Sequence, residues 1–200
     1  MAKTAWLRRH EIHVISEQQL LSLRTISMTT EIDDLLEDTT VEYLQLLSAF
    51  SEEQFNIVPF EGSWTVGQVT DHVNKSNAAL LHSLNSTGEK AERDILQKVD
   101  GLRTSLLNFE KKFTSPQFIL PGDGLHSKEE AMLAFESLMN QLRRSGNTVD
   151  LSNLIRHPIL GAITKIEMLH FVVFHTRRHI YQLTNIAKAF AKQTSVHQVQ

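Results

Sequence analysis

Apolar residues recur at steps of three and four along four stretches of this chain, the period of a helix with one buried face. The first stretch holds Ile32, Leu35, Leu36, Val41, Leu44, Leu47 and Phe50. Thr30 and the acidic Glu31, Asp33 and Asp34 stand ahead of it, a composition suited to a helix N-terminus. The second opens at Thr65-Val66-Gly67-Gln68, which reads as a capping box, with Trp64 and Val69 placed as a hydrophobic staple. It runs to about Asn85, where Ser86-Thr87-Gly88 stops it. The third opens at the capping sequence Ser127-Lys128-Glu129-Glu130 and turns Met132, Phe135, Leu138, Met139 and Leu142 inward. Arg143 and Arg144 lie near its C-terminal end, before Gly146. The fourth opens at Thr164-Lys165-Ile166-Glu167, again a capping box, and continues past Leu183.

The connections differ in character. Ser51-Glu52-Glu53-Gln54 starts a short turn, and Pro59 and Gly62 close that link. The stretch from Glu89 to Ser115 predicts helical pieces broken at Gly101, and Pro116 to Gly124 a loop or extended segment. His157-Pro158 and Gly161 mark the last connection, and period-two alternation is almost absent. The pattern predicts an all-α fold, a four-helix bundle. Residues 1–27 read as an N-terminal extension, a weakly amphipathic arm or helix, and 28–200 as the bundle domain.

The fourth stripe carries the candidate chemistry. Stepping along it gives Met168, Val172, His175, His179, Leu183, Ile186 and Phe190. Two histidines four apart share one face of a helix, one turn apart, with Cβ atoms roughly 6 Å from each other. Buried imidazoles need partners. Either each bonds a backbone carbonyl, as core histidines usually do, or the two converge on a metal ion. A third donor elsewhere would favour the ion. His170 lies on another face of the same helix, His126 and His157 sit in connections, and His82 is near the polar end of the second helix. His72 is the best placed. It lies two turns inside the second helix, beside the line of Val69, Ser76 and Ala79 that leaves room next to it.

Composition narrows the classes. The chain has a net charge of −3 and no cysteine. It therefore lacks both a basic field for nucleic acid and thiolate ligands, disulfides or a cysteine nucleophile. A reducing, cytoplasmic setting is consistent with this. No apolar run approaches the roughly 20 residues that span a bilayer, and no secretory signal pattern opens the chain. The expectation is therefore no nucleic acid and no membrane.

The block Ser63-Trp64-Thr65-Val66-Gly67-Gln68-Val69-Thr70-Asp71-His72-Val73 resembles one signature of the DinB/YfiT superfamily of metal-binding four-helix bundles. Leu160-Gly161-Ala162-Ile163-Thr164 and Phe174-His175-Thr176-Arg177-Arg178-His179-Ile180-Tyr181-Gln182-Leu183 resemble the other. The resemblance covers about Met28 to Phe190. It implies an up-down-down-up bundle with a long crossover between the second and third helices, and one divalent metal on three histidines, here His72, His175 and His179. It implies a homodimer, and S-transfer with a low-molecular-weight thiol such as bacillithiol or mycothiol, or hydrolysis, on a small-molecule substrate. Three imidazoles leave coordination positions open, which suits a catalytic zinc or a nickel ion. A non-catalytic bundle with a structural or lost metal is the alternative. Asp71 points away on its helix and reads as solvated rather than as a general base. Tyr181 and Gln182 read as outer groups to the pair, or as packing and surface residues.

Overall fold

The computed structural model describes residues 16–197, so most of the expected N-terminal arm, residues 1–15, lies outside the described residues. Four long helices form the bundle: α1 (Glu17–Ser48), α3 (Val66–Leu84), α5 (Lys128–Gly146) and α6 (Lys165–His197). Shorter helices α2 (Glu52–Asn56) and α4 (Val99–Leu106) lie in the connections, with a 3-10 turn at Gln117–Ile119.

Side-chain bonds between the helices set their directions. Lys128, at the start of α5, donates to the carbonyls of Ser48 and Phe50 at the end of α1. Arg143, near the end of α5, clamps Asp33 at the middle of α1 with bonds of 2.9 and 2.8 Å and reaches Glu37 as well. These helices are antiparallel. Lys165 at the start of α6 donates to Ser86 just past α3, while Gln193 near its end reaches Pro59 just before α3. That pair is antiparallel too. Asn56, on the link into α3, exchanges two bonds with the backbone of His126, just ahead of α5. So α3 and α5 start at the same end, and the order is up-down-down-up. Both α1 and α3 pack against α5 and α6, which places each sequence-adjacent pair α1/α3 and α5/α6 across the bundle.

The helix starts follow their caps. Thr65–Gln68 and Thr164–Glu167 form complete capping boxes, and Ser127 accepts from the Glu130 N–H. The first helix differs from expectation. It starts at a Ser16–Gln19 capping box, and Thr30 is an interior residue whose hydroxyl bonds back to the Ile26 carbonyl. The run at 30–34 is helix interior instead: Thr30, Glu31 and Asp34 are exposed, Ile32 is buried and Asp33 holds Arg143. Gly101 likewise lies inside α4 and breaks nothing. Among the described side chains, α1 joins the core from Met28 and Ile32 onward. Tyr43, Phe55, Phe135, Met139 and Leu142 are fully buried, with the Tyr43 and Phe135 rings 4.3 Å apart.

A small sheet departs from the all-helical expectation. Strands β1 (Glu89–Lys90), β2 (Asn153–His157) and β3 (Gly161–Thr164) pair antiparallel, with Ile155 opposite Ile163. Gly161 takes φ +66° at the β2–β3 turn, a conformation costly for other residues. Only Ile155 and Ile163 of the strand residues contribute buried apolar side chains, too few for a period-two signal in the sequence. The sheet ends where Glu167 ties the crossover to α6. Its buried carboxylate accepts two bonds from Arg93 (2.7 and 2.6 Å), the Lys98 N–H (2.7 Å) and the Thr164 N–H (2.9 Å).

Candidate metal centre

α6 turns its apolar stripe to the core as its period requires, and the two histidines go in with it. Met168, Val172, Leu183 and Ile186 are fully buried. His175 and His179 are each 7% exposed, and His72 on α3 is 2% exposed. The antiparallel packing of α3 on α6 brings His72 to the level of the pair. Ring centroids lie 5.3 Å (His72–His175), 4.9 Å (His72–His179) and 4.6 Å (His175–His179) apart. One nitrogen from each ring lies within 4.8 Å of the other two. Among the described residues no other group of three His, Asp or Glu side chains gathers its donor atoms so closely, and no carboxylate joins this one. His82 is exposed, His126 and His157 are half-buried in connections, and His170 bonds the Ile166 carbonyl on its own helix.

Hydrogen bonds at the far side of two rings orient them. His72 Nδ1 lies 2.8 Å from the Ile119 carbonyl, which only accepts. Nδ1 is therefore the donor, and Nε2 carries the free lone pair. His179 Nδ1 lies 2.9 Å from Gln182 Oε1 in the same sense. His179 Nε2 stands 3.2 Å from His175 Nε2, close to the roughly 3.3 Å that two nitrogens keep on one tetrahedral ion with bonds of about 2.0–2.1 Å. His175 has no such support, and its buried Nδ1 is without a partner. Its ring instead stacks flat on Phe171, with centroids 5.4 Å apart and planes 10° apart. Trp64 packs against His72 at 5.2 Å.

Burial holds all three imidazoles neutral. His179 is pushed down to about 3 by desolvation and by the neighbouring His72. His175 lies well below its ordinary range through burial and its two ring neighbours. His72 is lowered by desolvation despite its bond to Ile119. A neutral imidazole is the form that binds a metal. The donor set thus fits a divalent ion in charge state and spacing, and two of the three rings, His72 and His179, make the outer bonds that metal-bound histidines usually make.

Several neighbours escaped the sequence reading. Gln182 was legible only as a residue close to the pair; its bond to His179 needed the rotamers. Tyr181, three positions from Arg178, stacks on Phe109 at 4.0 Å and faces outward. Asp71 is half-buried and bonded rather than simply solvated: its Oδ2 accepts the Gly122 N–H at 2.8 Å and pairs with Lys75 at 2.8 Å. Arg178 donates to the carbonyls of Leu106, Asn108 and Lys111, so it pins the crossover beside the site. Gly67 has a packing cause. A Cβ there would lie 2.7 Å from the Cβ of His126, so only glycine lets the α5 approach loop sit against α3.

The sequence profile described as the DinB superfamily matches residues 35–183. A solved structure, YfiT from Bacillus subtilis, is reported as a probable metal-dependent hydrolase with an unusual four-helix bundle topology. It matches with a TM-score of 0.53 at 17% identity, covering 92% of this chain and 94% of that one. At that identity the likeness establishes the fold. No curated protein matches the chain.

Proposed function

This chain belongs to the DinB superfamily, and on that premise we propose that it is a metal-dependent enzyme acting on a small molecule at His72, His175 and His179. One observation carries the reading. Three imidazole nitrogens converge at a spacing that suits one ion, two of them with their other nitrogen already committed to an acceptor. With His72 and His179 committed through Nδ1, the His175 proton alone can bridge the His175 and His179 Nε2 atoms, 3.2 Å apart, and burial disfavours any further proton, so the cluster favours a cation.

A zinc or nickel ion held there supplies a Lewis acid that polarises a substrate or acidifies a nucleophile. The chain's own part is to hold that group with neutral ligands and to shape what reaches it. Phe171 and Trp64, both half-buried, wall the cluster with apolar rings. The nearby acids are committed elsewhere: Asp71 to Gly122 and Lys75, Glu167 to Arg93 and two backbone N–H groups. A site with no carboxylate base favours a nucleophile that loses its proton easily. A thiol, with a pKa near 8.5, needs far less help than water. The reading is therefore transfer to or from a low-molecular-weight thiol. Hydrolysis is the second reading, favoured by the likeness to the Bacillus subtilis structure, a probable metal-dependent hydrolase. A homodimer belongs to the same proposal, and light scattering of the purified protein tests it.

Metal analysis of purified wild type against His175→Ala tests the centre. About one ion per chain is expected in wild type and none in the variant, and equal content in both would remove the centre. Conjugation of a chromogenic electrophile to a small thiol, run beside hydrolysis of a chromogenic ester, then separates the two chemistries. Turnover of neither, with a large loss of thermal stability on chelation, would leave a structural ion.

A further inference from the structure

Asp71, His72 and Lys75 of α3 hold three residues of the crossover, Ile119, Leu120 and Gly122. His72 Nδ1 donates to the Ile119 carbonyl at 2.8 Å, and Lys75 Nζ to the Leu120 carbonyl at 2.9 Å. Asp71 Oδ2 accepts the Gly122 N–H at 2.8 Å, and Asp71 and Lys75 pair with each other. Only His72 belongs to the three-histidine cluster. Its proton sits on Nδ1 because a backbone carbonyl lies there, and that carbonyl stays only while the crossover stays. Ile119 itself is buried, so the turn that presents the carbonyl is seated against the bundle.

Resting on the metal reading above, we propose that Asp71 is a positioning residue for the metal centre. By anchoring Gly122, with Lys75 anchoring Leu120, it fixes the Ile119 carbonyl against His72 and couples ion affinity to the seating of the crossover. Outer partners of metal-bound histidines carry about 10- to 100-fold in affinity. Asp71 acts one step further out, so its removal should weaken binding by about tenfold. Coupling is reciprocal, so the ion must in turn tighten the crossover.

The test uses the full chain and zinc alone. Zinc affinity is measured by competition with a chromophoric chelator, and amide exchange is followed at Gly122 with and without zinc. In wild type, zinc should slow exchange at Gly122. Asp71→Ala should bind zinc about tenfold more weakly, exchange faster at Gly122, and lose most of the zinc-induced protection. Asp71→Asn keeps an acceptor oxygen and should recover most of the affinity. Lys75→Met reads the same coupling through Leu120 and serves if Asp71→Ala fails to fold. Wild-type affinity in both Asp71→Ala and Lys75→Met, with faster exchange at Gly122, would make the clasp merely structural and overturn the proposal. Absence of zinc binding by wild type would instead remove the metal reading itself, a result recognised without any variant.

Discussion

Replacing Gln182 by Leu isolates one bond of the metal centre. Gln182 Oε1 accepts from His179 Nδ1 at 2.9 Å, the bond that holds that side of the ring. Without it, His179 Nδ1–H is buried with no acceptor whenever Nε2 faces an ion, a loss of about 1–3 kcal/mol. The metal-free protein shares part of that cost. Moving the proton to Nε2, where it can donate to His175 Nε2 3.2 Å away, leaves the His175 proton on its own partnerless Nδ1. The ion should therefore bind about tenfold more weakly, the low end of the usual effect of losing an outer partner. Competition with a chromophoric chelator at fixed pH measures it, and Gln182→Glu, which keeps the acceptor, should bind as tightly as wild type. Equal zinc affinity in wild type and Gln182→Leu would refute the tautomer argument.

Other expectations follow from the same contacts. The metal-free protein should lose stability as pH falls below 6.5, because unfolded histidines take up protons that the buried His72, His175 and His179 refuse. With His175 and His179 neutral throughout, the loss is about 2 kcal/mol between pH 6.5 and 5.5, His72 adds to it in the same direction, and it should end only as the folded values are reached, about 3 for His179. Urea midpoints in the presence of a chelator check this, and a flat profile across that window would contradict it. Gly67→Ala, a change that stabilises most helices by about 1 kcal/mol, should here destabilise by about 1–3 kcal/mol because the new Cβ meets His126 at 2.7 Å. His126→Gly should restore the loss, and no recovery would sink the steric account. Arg93→Ala strands the buried Glu167 carboxylate and should cost about 3 kcal/mol. Adding Glu167→Gln to that variant should regain part of it in thermal melts, and a further loss would show that charge is not the cause.

Much of this protein is legible in one dimension. The 3.6 period placed four helices, and the threonine caps at 65 and 164 marked two of their starts to the residue. The stripe through His175 and His179 predicted their burial, because two polar residues cannot leave an apolar face without turning the whole helix. Where local signals competed, the sequence misled. Thr30 and its acidic neighbours look like a cap, yet a helix already under way from Ser16 continues through them, since interior residues need no nucleation of their own. The small sheet was hidden because its strands are too short to show a period.

Tertiary structure alone settled the rest. That His72 meets the pair depends on α3 and α6 running antiparallel at a matched height, and no spacing within either helix records this. Which nitrogen each ring presents depends on a carbonyl 47 residues away and on the rotamer of Gln182. Helical periodicity tells which way a side chain faces; only packing tells what it finds there.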